Sequence, residues 1–223
     1  MSLMAIDAST RTRGVALYDG ERVRYECTWE SNDFHGVDLA PGIKLALERS
    51  GTNIAGLNAI AVAIGPGSYT GLRIGLALAK GLAFSEDLDL IAVPTLDVVA
   101  AGHPVDEHPL VAILQVGRGR LAIGWYKAKK ERWQPDGEPQ LVTVRELVDA
   151  IRKPTMICGE IDMEARRALG RKHKNALLSS PAWSQRRPAL LAELAWERWK
   201  AGEAEDRRGL TPRYLQTSEV VPA

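Results

Sequence analysis

In GPGSYTGLRIGLALAKGLA, residues Gly65–Ala83, a glycine-proline turn opens into a helix almost without charge. The run before it, LNAIAVAIG (Leu57–Gly65), is short, apolar and bounded by Gly56 and Gly65. That pattern reads as a buried central strand, too brief for a free-standing helix. Pro66 cannot donate to a ladder and ends the strand. Gly65 and Gly67 permit backbone angles that other residues avoid, and Ser68 or Thr70 can cap the helix. Free amides in such a turn suit a phosphate. Two nucleotide motifs are nevertheless excluded. Gly71 is followed by Leu72 and Arg73 rather than by Lys and a hydroxyl residue, and the third glycine of Gly65, Gly67 and Gly71 falls one residue late for a dinucleotide fingerprint.

The helix carries small residues four apart at Gly71, Gly75, Ala79 and Ala83, all near one face. Arg73 and Lys80 are its only charges between Thr70 and Ser85, so burial on more than one side is expected. A helical glycine costs roughly 1 kcal/mol relative to alanine, so Gly75 and Gly81 need a packing reason. Two readings stay open: packing within the chain against its own sheet and a neighbouring helix, or a subunit interface. The interface reading assigns Gly71, Arg73, Ile74, Gly75, Leu78, Ala79 and Leu82 to the contact, with Gly75→Trp as its probe.

A chain of 223 residues at 45% hydrophobic is long enough for one domain or two small lobes. Its net charge of +1 gives no gross signal for nucleic acid or membrane. Cys27 and Cys158 match no zinc or redox spacing, which fits a reducing compartment. Asp7 comes too early for a signal-peptide core, and no uncharged run approaches the roughly 20 residues of a membrane span, so a cytoplasmic protein is expected.

Met4–Ser9 reads as a strand, and two alternating runs joined at Asp19-Gly20 read as a hairpin. Leu39–Ser50 has helical spacing and ends at Gly51; IAVP and TLDVVAAGH give a further strand and helix. GHPVDEHP (Gly102–Pro109) interrupts the pattern and marks a lobe boundary, dividing the chain into residues 1–103 and 104–223. Beyond it come two paired strands, a polar segment KKERWQPDGEPQ, a short helix near Val144–Ile151, a strand at TMICGEI and a helix at DMEARRALG. A last amphipathic helix over 187–203 is expected to pack back on the first lobe. This order is the outline of the two-lobed α/β actin-like, sugar-kinase and heat-shock-ATPase fold.

Asp7 and Ser9, at the end of the first strand, are candidates to face a metal and phosphates, together with Gly65, Gly67 and Ser68 of the turn. The competing reading of Asp7 is a turn or capping carboxylate. His103 and His108 are five apart with prolines beside them, which suits a solvated loop and not a helical metal pair. GSYTG is no nucleophile elbow, because serine is not its central residue. Both cysteines read as inert thiols in strands. Residues 152–187 hold nine Lys/Arg against three acids, an excess suited to RNA or an acidic partner, or to a solvated face. Trp196 and Trp199, three apart, are expected to pack.

Four blocks carry a resemblance: AIDAST with VALY, AVAIGPGSYTGLRIGLALAKGLA, AVPTLDVVA, and LTPRYL. With them the chain resembles the TsaB, or YeaZ, family of bacterial tRNA threonylcarbamoyladenosine biosynthesis proteins, of the actin-like ATPase-domain superfamily. The family's catalytic relative, TsaD, carries a His-x-x-x-His metal pair where this chain has Thr95 and Val99. The resemblance therefore implies a non-catalytic subunit, with no catalytic residues, metal or cofactor of its own. It implies pairing with TsaD through the helix after GPGSYTG, in support of threonylcarbamoyl transfer to adenosine 37 of tRNA. It also implies contact with the ATPase TsaE, a homodimer when alone, only indirect contact with tRNA, and ATP or ADP with magnesium at the level of the complex. The alternative is a small ATPase or phosphotransferase using Asp7 and the Gly65–Ser68 turn. The peptidase label carried by this branch lacks both a metal pair and a nucleophile here. One departure stands out. Family members show Asp-Ala-Arg at the first strand of the second lobe, where this chain has Gln115, Val116 and Gly117, with Arg118 or Arg120 as substitutes for the arginine. His35 stands where relatives carry a histidine before the first helix.

Overall fold

The computed structural model describes residues 1–31, 37–117, 119–171 and 174–215. His35, Arg118, Lys172 and His173 lie outside the described residues. The first sheet is built from β1 (Leu3–Asp7), β2 (Thr12–Tyr18), β3 (Val23–Glu30), β4 (Ala59–Ala63) and β5 (Asp89–Val93) in the order β3-β2-β1-β4-β5. β1, β4 and β5 are parallel, while β2 and β3 run antiparallel. The expected hairpin forms, but its connection spans residues 19–22: the Asp19 carboxylate accepts from the amides of Glu21 and Arg22, and Gly20 takes φ +90°.

Helix α1 (Leu39–Ser50) and helix α2 (Tyr69–Ser85) cover one face of this sheet, and the short helix α3 (Thr95–Ala101) follows β5. Period-two alternation sorts the strands. Met4, Ile6, Val15, Ile60 and Val62 meet α1 and α2, while Leu3, Ala5, Ala16, Ala59 and Ala61 face the other way. Because both faces are covered, the central strands β1 and β4 are apolar apart from Asp7 at the end of β1.

The second sheet comprises β6 (Leu110–Gln115), β7 (Arg120–Lys129), β8 (Arg132–Pro135), β9 (Gln140–Thr143), β10 (Thr155–Gly159) and β11 (Ala176–Leu178). Its order is β11-β10-β6-β7-β8, and β9 also pairs with β7. Helices α4 (Val144–Ala150) and α5 (Met163–Gly170) cover one face through Leu147 and Leu169. α3 takes the other with Leu96, Val99 and Ala100, while its Val98 belongs to the core of the first sheet. Helix α6 (Pro188–Lys200) then returns to the alanine-rich face of the first sheet, seating Ala189, Leu191, Ala192 and Ala195 against it. Alanines on both sides let helix and sheet approach closely. Trp196 and Trp199 pack on the same cluster with ring centroids 5.1 Å apart, as their spacing suggests.

Candidate functional site

The turn after β4 is held from inside. Ser68, not Thr70, is the N-cap of α2, accepting from the Gly71 amide at 3.3 Å. The Gly65 amide donates to Thr95 Oγ1 at 3.0 Å, and the Ser68 amide donates to the carbonyl of Ser9 at 2.6 Å. Gly65, at φ +110°, leaves room for the chain of Arg213: a Cβ there would lie 2.4 Å from that residue's carbonyl oxygen. A Cβ on Gly67 would come within 2.2 Å of the Ser9 carbonyl. These glycines admit the protein's own backbone, and the amides at Gly65 and Ser68 that suggested a phosphate loop are already bonded.

Asp7 has the same fate. One of its oxygens accepts from the amide and hydroxyl of Ser9, and the other accepts from Arg186 Nε at 2.8 Å. Arg186, just before α6, also bonds the Glu160 carboxylate through Nη1, and through Nη2 it bonds Thr10 Oγ1 at 2.8 Å and the Thr12 carbonyl at 2.9 Å. The side chains of Arg186 and Asp7 are 1% and 4% exposed. Burial opposes the charge on Arg186, but the Asp7 and Glu160 carboxylates outweigh it and raise the guanidinium above the ordinary arginine pKa. A permanent cation thus sits where magnesium and phosphate would need Asp7. The residues present do not fit a magnesium nucleotide, and the expectation that Asp7, Ser9, Gly65, Gly67 and Ser68 hold one is corrected.

The inward face of α2 consists of Gly71, Leu72, Gly75, Leu76, Ala79 and Ala83. A Cβ on Gly71 would lie 2.2 Å from the Ala8 carbonyl, and one on Gly75 would lie 3.1 Å from Ala8 Cβ. The ladder of small residues therefore answers to the end of β1, and Gly71, Gly75 and Ala79 are core positions instead of surface ones. Gly75→Trp would disrupt the core and cannot serve as an interface probe. Of the remaining interface residues, Arg73 is exposed, and Ile74, Leu78 and Leu82 are half-buried beside the first core. Tyr69, Thr70, Ala77, Gly81 and Phe84 complete the outward face. A Cβ on Gly81 would meet nothing within 4 Å, so among the described residues no packing contact requires the glycine.

Thr95 and Val99, at the metal-histidine positions of the catalytic relative, are sealed at 0% and 4% exposure. Thr95 caps the turn, and Val99 packs in the second core. Among the described residues no group of three or more His, Cys, Asp or Glu is placed to hold a metal ion. His108 lies on an exposed loop beside Asp106. His103, against expectation, is buried, with its carbonyl accepting from Trp133 Nε1 at 3.0 Å. Cys158 is buried, and burial pushes its thiol pKa up, which keeps it inert. Three of the basic residues are engaged within the chain, Arg186 with Asp7 and Glu160, Arg187 with Glu26 and Arg166 with the Ser179 carbonyl, while Arg152, Lys153, Arg167, Arg171 and Lys174 are exposed.

At the departing position, Gln115 Nε2 donates to Asp162 Oδ2 at 2.6 Å, while Oδ1 of that aspartate caps α5. A carboxylate at 115 would bring two anions together there; the amide supplies a donor instead. A cavity of about 840 Å³ opens beside Gln115, between Arg120, Arg145 and Arg171.

The family model described as "TsaD: tRNA N6-adenosine threonylcarbamoyltransferase" matches residues 30–187. The tRNA threonylcarbamoyladenosine biosynthesis protein TsaB of Bacillus subtilis is 32% identical over 227 residues, covering 99% of this chain and 96% of that protein. The chain belongs to the TsaB family. The Escherichia coli TsaB is 38% identical over 105 residues, 46% of this chain and 44% of its own length. YeaZ from Pseudomonas aeruginosa superposes with a TM-score of 0.72 at 22% identity over 96% of this chain and all of that one. An activator of 2-hydroxyisocaproyl-CoA dehydratase from Clostridium difficile, solved with bound ADPNP, superposes with a TM-score of 0.55 at 12% identity, covering 91% of this chain and 97% of that one. The two-sheet architecture is the actin-like, sugar-kinase and heat-shock-ATPase fold. Among the described residues no helix is long and apolar enough to cross a membrane.

Proposed function

We propose that this chain is the non-catalytic subunit of the tRNA N6-threonylcarbamoyladenosine modification complex and docks TsaD through the outward face of α2. Membership of the TsaB family carries the class of function. The burial of Thr95 and Val99 carries the absence of catalysis, since neither a capping hydroxyl nor a core isopropyl group can replace an imidazole ligand. The outward face supplies the contact. It runs from Tyr69 to Phe84, with Ala77 and Gly81 as its lowest points, small enough for a partner helix to approach closely. Residues 1–103 form the docking lobe in this reading, and residues 104–223 form the second lobe, tied back by α6. Nucleotide and magnesium belong to the complex; TsaE and a homodimer of the isolated chain are further expected contacts.

The test is reconstitution of the modification from purified components with and without this chain. Dependence on the chain, with none of the chemistry in the chain alone, is the expected result. Ala77→Trp, which leaves the core untouched, should abolish co-elution with TsaD; an intact complex would remove α2 from the interface.

A further inference from the structure

One flank of α2 is not bare. Residues 206–215 run beside it from its last turn to its first. Arg207 bonds the Ala83 carbonyl at 3.2 Å and pairs with Asp87. Lys80 Nζ donates to the Arg208 carbonyl at 3.0 Å, Leu210 packs into the first core, and the Arg213 amide donates to the Ile64 carbonyl at 2.7 Å. At the far end Tyr214 stacks on Tyr69 with centroids 5.1 Å apart, and Arg73 donates through Nε to the Tyr214 hydroxyl at 3.0 Å while its guanidinium lies 3.9 Å from the centre of the Tyr69 ring.

The cluster remains open to a partner. Tyr69 and Tyr214 are 56% and 40% exposed, and Arg73 and Arg213 are exposed and make no ion pair with a carboxylate among the described residues. Beside it lies a cavity of about 590 Å³ bounded by Pro66, Leu96, Tyr126, Arg213 and Leu215. The Asp97 carboxylate in its wall accepts from the Tyr126 hydroxyl at 2.8 Å and pairs with Arg198 at 3.5 Å, and the Arg213 charge acts on it as well without forming an ion pair. Arg73 and the paired Tyr69 and Tyr214 rings thus lie at the first turn of the helix whose outward face continues to Ala77 and Gly81, with Arg213 and the apolar recess beside the turn that opens it. Aromatic and arginine side chains held rigid before contact bind at low entropic cost.

We propose that the docking surface is composite: Ala77 and Gly81 admit a helix of the protein partner, and Arg73, braced by Tyr69 and Tyr214, together with the exposed Arg213 receives acidic side chains of that same partner. This rests on the α2 reading above and adds the segment 206–215 as an obligatory half of the interface.

Binding of purified TsaD to the immobilised full chain, measured by surface plasmon resonance at low and high salt, tests it. Arg73→Glu and Arg213→Glu are each expected to weaken binding by about ten- to a hundredfold and to flatten its salt dependence. Tyr214→Ala should speed dissociation. Because the Arg213 charge also acts on Asp97, Arg213→Gln, which removes the cation without adding an anion there, accompanies Arg213→Glu and should weaken binding in the same direction; circular dichroism checks each fold. If both charge reversals bind within about twofold of the parent while Ala77→Trp abolishes binding, the composite surface is overturned and the α2 reading stands. If Ala77→Trp itself binds like the parent, the α2 reading falls and takes this inference with it.

Discussion

At the scale of single residues, Asp7 was legible in the sequence as a chemically significant carboxylate, but its partner was not. Arg186 lies 179 positions away, and no spacing rule connects them. Only the fold brings the end of β1, Glu160 after β10 and Arg186 in the approach to α6 to one point. Thr95 and Val99 were easier, because a missing ligand pair is visible without tertiary information. The triad makes a sharp prediction. Arg186→Met leaves the buried Asp7 carboxylate uncompensated and should cost about 3–5 kcal/mol of stability in urea titrations. Adding Asp7→Asn removes that orphaned charge, so the double variant should be more stable than Arg186→Met alone. If the second substitution instead lowers stability further, Asp7 and Arg186 do not act as a pair. Magnesium ATP titrated into the isolated parent chain should give no binding heat that Asp7→Ala removes.

At the scale of elements, long periodic segments were readable and short edge segments were not. α1 falls on the expected residues, and β4 and α2 follow the glycine-proline pattern. β8, RWQP, lies inside the polar run KKERWQPDGEPQ, and β9, QLVT, begins at its last residue. Four residues are too few for alternation to register, and pairing with the long β7 supplies the ladder that local propensity does not. The spacing of the small residues on α2 was legible, but its direction was not, since a ladder of glycines looks alike whether it meets a partner or β1. The two kinds of helical glycine separate by experiment. Gly71→Ala must push the Ala8 carbonyl aside and should destabilise by roughly 1–3 kcal/mol. Gly81→Ala has open space and should stabilise the isolated chain by roughly 0.5–1 kcal/mol, read by denaturant midpoint. Equal effects at both positions would contradict the inward and outward assignment of the two faces.

For the whole molecule, the order of strands and helices carried the two-sheet outline, whereas the junction between the sheets emerges only from packing. α3 contributes Val98 to one core and Val99 to another, and the chain leaving it places His103 below the surface. There the carbonyl of His103 accepts from Trp133, its ring faces Ser179 Oγ at 3.4 Å, and Trp183 lies 6.5 Å away. Prolines beside it made it read as a loop residue, because sequence does not show what folds over a loop. Burial lowers the imidazole pKa below its ordinary value, with a smaller opposing effect from the hydrogen bond to the Trp183 backbone. The sign of the linkage follows. Above about pH 6.5 the ring is neutral in both the folded and the unfolded chain and contributes no slope. As the pH falls through that value, the unfolded chain takes up a proton that the folded chain resists. Stability therefore declines with falling pH until the folded-state pKa is passed. Ordinary carboxylates titrate near pH 4 and open a separate, more acidic window, whereas Asp97, whose pKa is raised by burial, acts with the opposite sign. The thermal midpoint of the parent should drop between about pH 7.5 and 5.5, and His103→Gln should drop less over the same interval. Parallel curves for the two proteins would place the acid sensitivity elsewhere and remove His103 from the junction that responds to pH.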